Sequence, residues 1–167
     1  MLKIESWALN GLDSRVAGKL LLKQMYEELT GEEEMPEVGK MPRGKPYFLT
    51  GDLHFSITHT KTRVFCALSD KAVGIDAEDL NRKVSPSLAE KILSPNEYAI
   101  YEATPDEEKN EILLRLWVMK EAEVKCSGLG LRGYPNHTDY RPDDPRIFIQ
   151  DGCVVAVITE GETQDAV

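Results

Sequence analysis

The chain has 167 residues, enough for one domain or for two small half-domains that share a core. Apolar residues make up 41% and charged residues 29%, which excludes wholesale disorder. Twenty basic residues against 29 acidic ones leave a net charge of −9, which excludes a general nucleic-acid binder and requires a local basic pocket for any anionic ligand.

A first strand is expected at Leu2–Trp7. The opening residues have neither the apolar stretch nor the small-residue cleavage site of a secretory signal, and no apolar run approaches the roughly 20 residues of a membrane span. No membrane association is expected. After Asn10-Gly11, Asp13 or Ser14 can cap a helix that runs to about Leu29 and closes at Gly31. Val16, Ala17, Leu20, Leu21 and Leu22 supply its apolar stripe, and Arg15, Lys19 and Lys23 share another face, read as solvated. Gly31–Pro36 and Pro42–Pro46 read as connections.

The pattern then turns strand-like at His54–His59, Arg63–Leu68 and Ala72–Ala77, with Ser69-Asp70-Lys71 as a hairpin turn between the last two. Helices follow. Ser94 caps one that starts at Pro95 or Asn96, Thr104-Pro105-Asp106 breaks it, and a long helix spans Glu107 to about Cys126. Arg146–Ile149 and Cys153–Ile158 flank a Gln150-Asp151-Gly152 turn, and the polar tail after Glu160 is expected to fray. Antiparallel strands with helices on one face make the expected class α+β. Cys66, Cys126 and Cys153 have neither disulfide nor metal-ligand spacing, so a reducing, cytoplasmic setting is expected.

Three stretches carry chemistry. In Val73-Gly74-Ile75-Asp76-Ala77-Glu78, strand alternation puts both carboxylates on one face. Such a pair repels unless a cation or shared proton neutralises it, and hard oxygen donors favour Mg²⁺; a solvated acidic strand end is the plain alternative. In Arg115–Lys125, Glu121 and Lys125 share a helical face, read either as a surface ion pair or as a metal ligand beside a phosphate contact. The third stretch sets Lys45 and Pro46 in a Gly/Pro-held loop ahead of Thr58, His59 and Thr60, where a structural histidine is the plain alternative.

Together, in this order and spacing, Gly44–Tyr47, Phe55–Thr60, Val73–Glu78, Trp117–Ala122 with Lys125, and Gly128–Leu131 resemble the 4′-phosphopantetheinyl transferase superfamily, Sfp type. The resemblance spans roughly residues 13–131. It implies two similar half-domains in a pseudo-dimer, the N-terminal one abbreviated: residues 1–70, then 71–160, with 161–167 a frayed tail. It also implies Mg²⁺-dependent transfer of the phosphopantetheine arm of coenzyme A to a serine of an apo acyl or peptidyl carrier protein, releasing 3′,5′-ADP. A non-catalytic coenzyme A-binding module is the alternative.

By family position, Asp76, Glu78 and Glu121 would hold Mg²⁺, and Glu121 would take the serine proton, with Glu97 as the alternative base. Lys125 would meet the pyrophosphate, Thr58 and His59 the phosphates, Lys45 and Pro46 the adenine end, and Arg15 the 3′-phosphate. A single chain is expected to form a whole site and act as a monomer. Carrier docking is assigned to a patch such as Arg82, Lys83 and Lys91, or to an apolar strip. Two departures stand out: Ser56 occupies a position that is commonly Asn in the family, and no basic segment precedes the first helix, so part of the 3′-phosphate contact is expected to be missing.

Overall fold

The computed structural model describes residues 1–130 and 138–161; the expected frayed tail, 161–167, falls almost wholly outside them. In chain order the first elements are β1 (Leu2–Ala8), α1 (Ser14–Thr30), β2 (Val38–Lys40), β3 (Pro46–Phe48), β4 (His54–His59) and β5 (Arg63–Ser69). They are followed by β6 (Val73–Asp79), α2 (Ser87–Ile92), α3 (Pro95–Ala103), α4 (Asp106–Ser127), β7 (Ile147–Gln150) and β8 (Cys153–Thr159). The class is α+β, as expected.

Two three-stranded antiparallel sheets form the frame, ordered β1-β5-β4 and β6-β8-β7. The same connectivity recurs in both: a strand, then helix, then two paired strands, with the last strand central. β2 and β3 form a small separate ribbon from segments that read as connections, three residues a side being too short to leave a period in the sequence.

The expected hairpin between Arg63–Leu68 and Ala72–Ala77 does not form. Both hydrogen-bonding edges of β5 are taken, by β1 and β4, so β6 has no edge to join. The Ser69–Lys71 segment instead carries the chain into the second sheet, where β6 pairs with β8.

Helix α1 is capped as expected, Asp13 accepting from the Arg15 and Val16 amides at 2.9 and 3.1 Å and Gly31 closing it at φ 74°. Its buried face is rotated from the expected stripe: Ala17, Gly18, Leu21, Leu22, Met25 and Tyr26 are inside, whereas Val16 and Leu20 are half exposed. Gly18 explains the rotation, because its missing side chain lets Ile57 and Val64 of the sheet approach the helix.

The two sheets share an apolar cluster built from Phe65 and Ala67 of β5, Val73, Ile75 and Ala77 of β6, and Val155 and Val157 of β8. Polar bonds cross the same seam, Ser56 Oγ accepting from the Ile75 amide at 3.1 Å. The shorter Ser side chain therefore serves as an inter-sheet bridge. Helix α4 lies over β6 and β8 and buries Leu113, Leu114, Leu116, Val118, Met119 and Ala122, ending at Gly128 with φ 68°. Cys66, Cys126 and Cys153 are buried and form no disulfide, and burial pushes the Cys66 thiol up to about 12. No described helix is long and apolar enough to cross a membrane.

Candidate active site

The site forms where α4 crosses β6. Gly74 sets that crossing: a Cβ there would run into the Ala122 carbonyl and the Cys126 amide, so only a bare backbone lets the helix lie this close. The close approach delivers Glu121 and Lys125, one turn apart, over the strand face that carries Asp76 and Glu78.

Lys125 Nζ sits 2.6 Å from Asp76 Oδ1, and the Thr58 hydroxyl donates to that same oxygen at 3.0 Å. Asp76 and Thr58 are buried at 7% and 6% exposure, so three segments distant in sequence meet at one carboxylate. Glu78 pairs with Arg82 at 2.5 Å, and the Arg82 guanidinium lies over the Trp117 ring at 4.7 Å. In the carrier patch read from the sequence, Arg82, Lys83 and Lys91 are all exposed, and Arg82 is the one paired with a site carboxylate, Glu78.

Burial pushes the Glu121 carboxyl above the usual range, and the Asp76 charge adds to this; Trp117 and Lys125 oppose it, and Glu78 adds again. Burial likewise raises Glu78, opposed by Arg82 and reinforced by Asp76 and Asp79. Asp76, Glu78 and Glu121 therefore lie within one another's electrostatic reach. As the side chains lie, no three His, Cys, Asp or Glu groups among the described residues enclose a cation site. The donor chemistry still suits Mg²⁺: hard carboxylate oxygens share one face with surplus negative charge, now offset by Lys125 and Arg82.

Two cavities flank this point. One, of about 920 Å³, is lined by His59, Thr60, Lys61, Glu78, Arg82 and Lys83 among others. The smaller, about 240 Å³, includes Lys45, Pro46, Ser56, Lys125, Gly128 and Gly130 in its wall. Lys45 donates to the Cys126 and Val73 carbonyls at 2.9 and 3.2 Å, tying its loop to α4 and β6, and burial lowers its pKa. His59 stands exposed at the end of β4, its Nδ1 3.3 Å from the Thr60 carbonyl oxygen. Arg15 is exposed in the first turn of α1 and lines neither cavity.

Glu97 is not at this site. It is fully buried, completes a capping box with Ser94, accepts from the Tyr140 amide at 2.8 Å and pairs with Lys120 at 2.9 Å. Both its oxygens are thus engaged within the fold, and the cavity it borders, with Asn96, Tyr140 and Arg141, is a separate one. Lys120 is one residue from Glu121, which turns it about 100° around the helix, away from β6. Its inward position was visible in the spacing Leu113, Leu116, Lys120, which continues the apolar face.

Residues 72–152 match the 4′-phosphopantetheinyl transferase superfamily. The chain is 34% identical over 94 residues to a 4′-phosphopantetheinyl transferase of Bacillus subtilis, covering 56% of this chain and 42% of that protein. It is 38% identical over 96 residues to 4′-phosphopantetheinyl transferase HetI of Nostoc sp., covering 53% and 40%. It is 32% identical over 115 residues to 4′-phosphopantetheinyl transferase gsp of Aneurinibacillus migulanus, covering 68% and 48%. The chain is thus similar to phosphopantetheinyl transferases over part of its length, and spans less than half the length of these three.

Proposed function

We propose that this chain transfers 4′-phosphopantetheine from coenzyme A to a serine of an apo acyl or peptidyl carrier protein, releasing 3′,5′-ADP. The observation that carries the reading is the meeting of Asp76 and Glu78 of β6 with Glu121 and Lys125 of α4, in a chain related to these enzymes. Its basic side chains at a net-acidic molecule's cavities, His59, Lys61, Lys83, Lys45 and Lys125, are the local positive field an anionic substrate needs.

Asp76, Glu78 and Glu121 would hold Mg²⁺, which when bound neutralises charge on the pyrophosphate oxygens. In the transfer, the serine Oγ bonds to the β-phosphorus, the bond from that phosphorus to the bridging oxygen breaks, and 3′,5′-ADP leaves with the electron pair. Glu121, raised and half-buried, takes the serine proton. Lys125 follows the developing negative charge onto the phosphates, and His59 and Thr58 orient them from the end of β4. Lys45 and Pro46 border the adenine end, and Arg15 supplies a 3′-phosphate contact from α1. The chain works as a monomer in the cytoplasm, as two half-domains divided near residue 70, an arrangement the recurring strand connectivity supports.

Intact mass of an apo-carrier protein incubated with coenzyme A, Mg²⁺ and this chain tests the proposal. It should rise by one phosphopantetheine group, with equimolar 3′,5′-ADP. Coenzyme A binding with an unmodified carrier would establish the non-catalytic module instead.

A further inference from the structure

The turn between β4 and β5 carries two basic side chains, His59 and Lys61, into the wall of the larger cavity. Turns of this kind are held by local bonds, and part of this one is: the Thr60 amide donates to the Arg63 carbonyl at 2.8 Å, and Thr60 Oγ1 accepts from the Thr62 and Arg63 amides at 3.1 and 3.2 Å. The rest of the grip comes from the other sheet. Asp79, last residue of β6, accepts the Thr62 hydroxyl on Oδ1 at 2.8 Å and the Lys61 amide on Oδ2 at 3.2 Å. The Cys153 thiol lies 3.6 Å from the same Oδ1 and 4.0 Å from the Thr60 hydroxyl. Strand alternation sends Asp79 opposite to Glu78, so its bonds to the turn are separate from the Glu78–Arg82 pair.

We infer that Asp79 is a positioning residue that sets the substrate-facing geometry of the His59–Thr62 turn, presenting His59 and Lys61 to the phosphate groups of coenzyme A. The inference rests on the transferase reading above. A carboxylate holding a main-chain N–H and a neighbouring hydroxyl at once fixes both the path and the tilt of a turn, which a single bond does not. Because the residues it orients bind rather than react, its loss falls on substrate affinity.

The test compares Asp79→Ala, Asp79→Asn and Thr62→Val with the wild type in the transfer assay, with calorimetric binding of coenzyme A alongside. Asp79→Ala should raise the KM for coenzyme A, and its Kd, on the order of tenfold, with kcat within about twofold. Asp79→Asn keeps one acceptor oxygen and should recover part of that loss. Thr62→Val should move KM in the same direction, and the Asp79→Ala/Thr62→Val double variant should be little worse than Asp79→Ala alone. Amide hydrogen exchange at Lys61 and Thr62 should quicken in Asp79→Ala. If that variant fails to fold, Asp79→Asn and Thr62→Val carry the comparison.

Unchanged KM and Kd in folded variants overturn the inference and leave the transferase reading standing. A fall in kcat at constant KM also overturns it, since Asp79 would then act through Glu78. A wild-type chain that neither binds coenzyme A nor modifies a carrier overturns the transferase reading, and this inference with it.

Discussion

Lys125 Nζ lies 2.6 Å from Asp76 Oδ1, joining the last turn of α4 to the middle of β6 across 49 residues of chain. The pair is partly exposed, so its contribution to stability is modest, about 1 kcal/mol. In the proposed transfer, its place beside Glu121 gives it a larger part. Lys125→Ala should lower kcat by about a hundredfold while costing only a few degrees of Tm, because a fixed positive charge at developing phosphate charge is lost. Circular dichroism melts beside transfer rates check both halves of the statement.

Glu121 gives a pH prediction of definite sign. Burial first, then Asp76, hold its carboxyl above the usual range. A folded-state pKa above the unfolded one means that the folded chain takes up the proton first as pH falls. Ionised Glu121 therefore weakens the fold at neutral pH, and the penalty fades as pH drops through the raised value toward the ordinary pKa of about 4.3. Without metal, Glu121→Gln should melt above the wild type at pH 7, and the gap should close toward the ordinary pKa. It should also abolish transfer. A lower Tm at pH 7 would contradict the account.

Gly74 is the test of the helix–strand crossing. Gly74→Ala drives a methyl group into backbone atoms of Ala122 and Cys126, which cannot step aside as a side-chain tip would. A cost of at least about 3 kcal/mol is expected from such overpacking. Activity should fall further than stability explains, since α4 must shift away from Asp76. Urea denaturation and transfer rates at a temperature where the variant is folded separate the two.

Glu97 and Lys120, both at 0% exposure, give the contrasting case. Glu97→Ala leaves a buried ammonium without its carboxylate, and should cost about 3–5 kcal/mol. Replacing both, Glu97→Leu with Lys120→Met, removes the uncompensated charge and should recover part of the stability, the Ser94 and Tyr140 amides staying unpaired, and should keep measurable transfer. Complete inactivity in a stable double variant would return Glu97 or Lys120 to the reacting centre.

Local chemistry was the part of the fold most legible in the sequence. Asp13 and Gly31 bound α1, Ser94 caps α3, and the β7–β8 hairpin turns on Asp151-Gly152, whose φ values of 52° and 75° suit those residue types. Partner choice was not legible, because it is decided by edges elsewhere in the sheet. Ser69–Lys71 has hairpin chemistry, yet β5 had already spent both edges on β1 and β4. At the site, the strand pair Asp76 and Glu78 and the helix pair Glu121 and Lys125 could be read from spacing alone, but their meeting required the backbone approach at Gly74. Glu97 reads in the sequence only as an alternative base, because sequence position does not show the structural use that an acidic residue three positions after Ser94 has as an N-cap partner.

The claim that Asp76, Glu78 and Glu121 serve one divalent ion is tested most directly by counting Mn²⁺, a Mg²⁺ surrogate, bound to the chain with coenzyme A present, by electron paramagnetic resonance. The account predicts one ion per wild-type chain, and its loss in folded Asp76→Asn and Glu121→Gln. Mn²⁺ binding of equal stoichiometry and affinity in both variants would contradict it.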